Sequence, residues 1–347
     1  MFRNEENFKI LSIDGGGIKG LYSAVILADF EEKYGKLSKH FDLICGTSTG
    51  GIIALALAAG IPAKQIVNFY EEYGPKIFPY KAKSFRLWGK IKQTVFSSKY
   101  PENNLREALT NVFGNKTLAE CETNVLIPVS NITTGLPRII KNDHSPNLTL
   151  DNGHKMVDVA MATTAAPTYF PIQSILTMSN PEHQFVDGGL YANNPSLHGI
   201  QEAYRYFINK PNTNYMKYSL LSIPTLHENF SYKRKLKIHK RPVILWGTKL
   251  LPLMMDLLSV STDFHIKYLN ETLKGHYVRI ETPELTKKEN KLIALDNSSK
   301  KSLEILIDKG HQSGLKYIDS SEIQVFFNKE QHGELEYING SEIQAFL

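Results

Sequence analysis

The stretch FKILSIDGGGIKGLYSAVILADF, residues 8–30, decides how the chain is read. Its first part, FKILSI, is a short apolar run with the character of a strand. Gly15, Gly17 and Gly20 follow at G-x-G-x-x-G spacing, and Leu21, Val25, Ala28 and Phe30 then recur at helical spacing. Glycines at a strand-to-helix turn let backbone N–H groups face an anion at the positive end of a helix. That anion is either the pyrophosphate of a dinucleotide or a charge that develops during a reaction. The array by itself does not choose between them.

A second unit of the same kind comes next. FDLICGTSTGG, residues 41–51, reads as a strand entering a turn, and GIIALALAAG, residues 51–60, as a helix closed by Gly60 with Pro62 just beyond. A helix apolar on every face belongs in the interior. Two strand–glycine turn–helix units in succession point to an α/β fold with a mainly parallel central sheet. Further along, the pattern predicts a helix over 63–78 and an antiparallel strand pair at 124–135 and 136–142. A helix of small residues from 155 is expected to stop at Pro167. A strand then runs into a glycine turn at 183–189, followed by a helix from Pro195 to Asn209. The remainder reads as a strand at 218–224, a leucine- and methionine-rich helix over 246–269, a strand from His276 and an amphipathic helix over 287–308.

Composition sets the outer bounds. The chain has 347 residues, 42% hydrophobic and 22% charged, as expected of a globular protein with a substantial core. Its longest apolar run, residues 52–61, is too short to span a bilayer. The polar start MFRNEENFK lacks a secretory apolar region, so a cytoplasmic protein is expected. Cys45 and Cys121 form no CxxC or Cys/His cluster, which argues against a disulfide framework or a structural zinc. The net charge of +5 is unevenly spread: seven Lys/Arg and no acid lie between Lys76 and Lys99, and six more Lys/Arg between Lys233 and Arg241. Such segments suit an anionic surface or a phosphate-rich ligand. No linker divides the chain. One main domain is expected over 1–315, with a lid or membrane-contact segment at 76–102, followed by an appendage at 316–347. The appendage holds an imperfect repeat, YIDSSEIQVFF at 317–327 and YINGSEIQAFL at 337–347.

GTSTG, residues 46–50, fits G-x-S-x-G. A sharp strand-to-helix turn of this kind exposes one serine, here Ser48, at a helix N-terminus where negative charge is favoured. A serine needs a base. His183, His198, His227 and His311 follow in the chain, but none lies in a marked glycine turn; Asp187, in FVDGGLYANNP, ends a strand and precedes two glycines. An aspartate with an ordinary pKa of ~3.9 is a weak base, so much of the rate must come from stabilising an oxyanion. Gly15, Gly16 and Gly17 supply N–H groups unobstructed by Cβ atoms for that task. The dinucleotide reading wants an acid about 20 residues past the glycines. Glu31 and Glu32 fall within the helix pattern and Asp42 precedes the second strand's apolar core, and this reading explains neither GTSTG nor DGG. A binding module on an inactive hydrolase fold is a third reading, and the intact Ser48 and Asp187 oppose it.

Together DGGGIKG (14–20), GTSTG (46–50), ATTAAPTYFP (162–171) and DGG (187–189) resemble, in order, the signature blocks of patatin-like phospholipases. The resemblance runs from about residue 8 to 209 and implies a three-layer α/β/α sandwich. It implies a Ser48–Asp187 dyad and an oxyanion hole from Gly15, Gly16 and Gly17. Asp14, Lys19, Gly20, Gly46, Gly50, Gly188 and Gly189 are supporting residues, and no metal or catalytic cofactor is expected. Lys19 stands where the family more often has arginine; it would hold the loop or an anionic headgroup. The implied reaction is hydrolysis of phospholipid acyl esters. The blocks also resemble bacterial patatin-like effectors of anti-phage signalling, which a cyclic di- or oligonucleotide activates to degrade the cell's own membrane; a constitutive lipid acyl hydrolase is the alternative. The expected partners are membrane phospholipids at the inner face of the membrane, a cyclic nucleotide and copies of the chain itself, with no nucleic acid polymer. The basic run 233–241 is the candidate phosphate contact.

Overall fold

The computed structural model describes residues 6–79, 98–175, 183–211, 213–227 and 249–327. Its centre is an eight-stranded sheet. Strand β1 (Glu6–Ile13) is flanked by β2 (Leu43–Gly46) and β7 (Tyr215–Ile223), β2 continues to β3 (Asn124–Asn131), and β7 to β8 (His276–Arg279). These five strands are parallel. On the far side of β3 the direction reverses: β4 (Leu136–Lys141) and β6 (Gln184–Asp187) both pair antiparallel with it, and β5 (Gln173–Ser174) closes that edge against β6.

Alternation along β1 explains the layers. Phe8 and Ile10 point into one apolar cluster and Leu11 and Ile13 into another, so both faces of the sheet are covered. On one face lie α1 (Gly20–Tyr34), α2 (Thr49–Ala58), α3 (Ala63–Ile77), α4 (Asn103–Phe113) and α5 (Met156–Thr163). The other face carries α7 (Ser196–Tyr206) and α8 (Leu250–Leu273), the former preceded by the single turn α6 (Gly189–Ala192). This is the expected three-layer sandwich. Every residue of α2 is buried, as its all-apolar sequence required. Among the described residues no helix is long and apolar enough to cross a membrane.

Three expectations are corrected. The late amphipathic helix does not start at 287. Residues 289–291 form one 3-10 turn, and the helix, α9, spans Lys300–Tyr317 after an extended Ser299 whose N–H donates to the Asn297 side chain. The intervening loop presents the Leu295 carbonyl to the Ile18 N–H at 2.9 Å, a contact a continuous helix would forbid. Helix α5 ends at Thr163, before Pro167, because the Ala165 carbonyl is turned to accept the Asp187 N–H. The boundary at 315/316 is no break either: α9 runs through it, and α10 (Ser321–Phe327), the first repeat copy, buries Ile323, Phe326 and Phe327 in the main core. Phe327 stacks on Tyr34 of α1. The second repeat copy, the basic run 233–241 and residues 80–97 of the 76–102 segment lie outside the described residues.

Candidate active site

Strands β1, β2 and β6 bring the expected residues together, and the register explains how. Cys45 of β2 is level with Leu126 of β3, and Val129, three residues on, is level with Asp187 of the antiparallel β6. Three residues past Cys45 comes Ser48. The reversal at β6 therefore delivers Asp187 at the height where the chain leaves β2.

Ser48 sits at that exit with φ 55° and ψ −123°, a left-handed conformation that costs about 1–3 kcal/mol. Its surroundings impose the strain. Ser48 N–H donates to Thr163 Oγ1 at 3.0 Å, and that hydroxyl donates to the Pro128 carbonyl at 2.8 Å. The Ser48 carbonyl accepts from Gly51 N–H at 2.8 Å and starts α2. A Cβ on Gly46 would strike the Gly50 carbonyl, and one on Gly50 the Ile13 carbonyl, which is why this turn excludes side chains.

Ser48 Oγ donates to Asp187 Oδ2 at 2.7 Å, and Gly189 N–H donates to Asp187 Oδ1 at 2.7 Å. Burial pushes the Asp187 carboxyl up to about 7, against the opposing pull of the Ser48 hydroxyl and the Gly189 N–H. The expected weak base is thus made a near-neutral one. The four histidines are engaged elsewhere: His183 meets Asn131, His227 meets Asp256, His311 meets Asp29, and His198 packs edge-on to Tyr191.

The glycine loop lies over the nucleophile, since a Cβ on Gly15 would come within 3.3 Å of the Ser48 Cβ. One donor is corrected here: Gly15 N–H is spent on the Asn193 carbonyl at 2.9 Å. Gly16 and Gly17 N–H have no acceptor among the described residues. Gly17 adopts φ +59°, and a Cβ there would run into the Leu295 carbonyl. At the base of the loop, Asp14, itself buried, takes a bidentate pair from the largely covered Arg279 guanidinium at 3.2 and 2.6 Å. Arg279 also donates to Ser222 Oγ. Lys19 faces inward, 1% exposed, with its ammonium 3.9 Å from Asp256 of α8. Its ammonium is thus directed into the protein and not towards a headgroup at the surface.

Sequence reading missed Thr163 and Asn193. Asn193 Nδ2 donates to the Gly15 carbonyl at 3.3 Å and to Ser259 Oγ at 2.9 Å, so the turn after Asp187 clasps the glycine loop at both its N–H and its carbonyl. The only sequence signal was the polar pair in ANNP. Gly20 supports the site from beneath, where a Cβ would meet the Thr49 hydroxyl, and Gly188 packs directly on the Pro128 carbonyl. Ser48 and Asp187 line an apolar pocket together with Ile18, Ile52, Phe69, Ile77, Phe170 and Met255 among others. An apolar lining of this kind suits hydrocarbon rather than a polar ligand.

The comparisons agree with this geometry. A family model described as "Patatin-like phospholipase" matches residues 11–198. A "cGAMP-activated phospholipase" of Pseudomonas aeruginosa is 34% identical over 307 residues, covering 88% of this chain and 87% of the other. A protein of the same name from Vibrio cholerae is 31% identical over 322 residues, covering 88% and 89%. "Patatin-like protein 2" of Arabidopsis thaliana is 31% identical over 341 residues, covering 87% and 82%. On the matched span, the shared length and the glycine-framed serine set beside an aspartate, the chain belongs to the patatin-like phospholipase family.

Proposed function

We propose that the chain hydrolyses phospholipid acyl esters with Ser48 as nucleophile, Asp187 as base and Gly16 and Gly17 as oxyanion donors, and that a cyclic nucleotide switches it on. The observation that carries the hydrolytic part is the 2.7 Å bond from Ser48 Oγ to a buried aspartate at the end of an apolar cavity.

The acyl chain lies in the cavity and its ester carbonyl meets Ser48. Asp187 Oδ2 takes the hydroxyl proton as Oγ bonds to the carbonyl carbon. The carbonyl oxygen becomes an oxyanion beneath the Gly16 and Gly17 N–H groups, each such donor typically contributing ~3 kcal/mol at the transition state. Collapse breaks the ester C–O bond, and the lysophospholipid alkoxide leaves with the proton held by Asp187. Water then attacks the acyl-serine, Asp187 takes its proton, and a fatty acid departs as Ser48 regains its hydrogen. The raised Asp187 affinity for protons suits it to both transfers.

Support for the switch comes from the two bacterial relatives, both named for activation by cGAMP and similar to this chain over nearly all of its length. The reading places the protein at the inner face of the membrane it degrades, in antiviral defence. The test is fatty-acid release from mixed phospholipid vesicles, with and without cGAMP and other cyclic dinucleotides, using Ser48→Ala as blank. Hydrolysis that depends on a nucleotide and is lost in Ser48→Ala and Asp187→Asn is the expected result. Full hydrolysis without nucleotide, and no nucleotide binding, removes the switch and leaves the hydrolase. No hydrolysis under any condition, with no labelling of Ser48 by a fluorophosphonate, removes the hydrolase as well.

A further inference from the structure

Helix α8 is amphipathic in an unusual sense: its outward face is apolar. Leu250, Met254, Leu257, Val260, Phe264 and Tyr268 recur at spacings of three and four, and each is 40–62% exposed. From Leu250 to Tyr268 they make a stripe about 27 Å long on a helix of 24 residues. Pro252, Met255, Ser259 and Ile266 on the opposite side are buried. A continuous apolar face of this length marks an interaction surface.

We propose that this face pairs with the same face of a second copy of the chain, the two α8 helices running antiparallel across a two-fold axis near Val260 and Ser261. Two observations select this occupant. The first is area. At the exposures above, the six side chains offer roughly 600 Å² of apolar surface. With their flanks this approaches the ~800 Å² per partner of a stable protein interface. The second is charge. Lys249 and Glu271, both exposed, sit on the same flank of the stripe at its two ends. They lie about 33 Å apart along one helix and cannot meet there. An isologous contact places residue i against j and j against i. Antiparallel pairing about residue 260 therefore sets Lys249 of each copy against Glu271 of the other, twice. The same operation brings Leu257 of one copy within one residue of the level of Phe264 of the other, with the small Ser261 next to the axis to let the helices approach.

The pairing face backs onto the site. Met255 walls the apolar cavity and Asp256 meets Lys19, so association braces the helix that supports the glycine loop. The inference stands on the helix alone and does not depend on the hydrolase reading.

Sedimentation of the full chain tests it. The wild type is expected at twice the chain mass in the micromolar range, and Leu257→Glu/Phe264→Glu at one chain mass. Lys249→Glu alone should weaken dimerisation by about tenfold or more, and Lys249→Glu/Glu271→Lys should restore it. These two exposed charge variants carry the test if the apolar variant does not fold. A wild type that stays at one chain mass overturns the proposal. So does a dimer indifferent to all of these changes, or a charge exchange that fails to rescue. Variants that lose binding to anionic phospholipid vesicles while the wild type remains monomeric would assign the face to a bilayer instead.

Discussion

Asp187→Asn should sharply slow hydrolysis and at the same time stabilise the fold, by an amount that depends on pH. The Asp187 carboxyl titrates near 7 in the folded chain against 3.8 for the unperturbed group, and burial is the main cause. A carboxyl whose folded pKa lies above its unfolded value binds more protons in the native state between those two pH values. Stability from this group is therefore fully present below pH 3.8 and is lost as pH rises through about 7. A difference of about 3 units at 1.36 kcal/mol each amounts to roughly 4 kcal/mol of destabilisation above neutrality. Asparagine has the same shape and no charge. Its oxygen can accept the Gly189 N–H, and its amide can donate to Ser48 Oγ. The variant should thus exceed the wild type by up to roughly 4 kcal/mol at pH 8, with the gap closing towards pH 4. Urea denaturation at pH 8, 6 and 4.5 measures this, and vesicle assays measure the accompanying loss of about 10²–10⁴ in rate. A variant no more stable than wild type at pH 8, or a gap that does not shrink with acid, refutes the reasoning.

Four other outcomes follow from the same geometry. The wild-type kcat/KM should rise with pH and level off above about 7, because only the Asp187 carboxylate can take the serine proton; a flat profile from pH 5 to 9 would contradict this. Gly17→Ala forces a side chain into φ +59° against the Leu295 carbonyl, and vesicle hydrolysis should fall about 10²–10³-fold. Thr163→Val removes the acceptor for Ser48 N–H, and chemical denaturation should register a loss of about 1–3 kcal/mol together with a lower kcat. Asp14→Asn removes the charge partner of the largely covered Arg279, at an expected stability cost of about 3 kcal/mol read by the same denaturation.

The parts of the site legible in the sequence were those that backbone geometry demands. Glycines at 15–17, 46, 50, 188 and 189 announce turns where side chains do not fit, and each proved to abut a carbonyl or a side chain of another element. Ser48 and Asp187 could be named because each stands beside such a turn. What could not be read was set by distant contacts. Nothing local to residues 287–299 says that Leu295 must stay outside a helix, since the reason lies at Ile18. Nothing in DGGGIKG says that Gly15 N–H is taken, since the acceptor is Asn193. The inward turn of Lys19 depends on Asp256, whose helix reaches the site from the other end of the chain. The pKa of Asp187 was equally hidden, because burial is a property of the assembled sheet.

The reversal of β6 has a bearing on how such an enzyme is made. Ser48 and Asp187, its hydrogen-bond partner and proposed base, are 139 positions apart, and the arginine that anchors Asp14 lies 265 positions beyond it. A growing chain that has folded β1, β2 and α2 already carries Ser48, yet it has neither Asp187 nor an anchored glycine loop. The Arg279–Asp14 pair forms only when residue 279 has joined the sheet. On the proposed mechanism a ribosome-bound or truncated fragment that stops short of residue 279 lacks a complete site, and synthesis order itself becomes a safeguard.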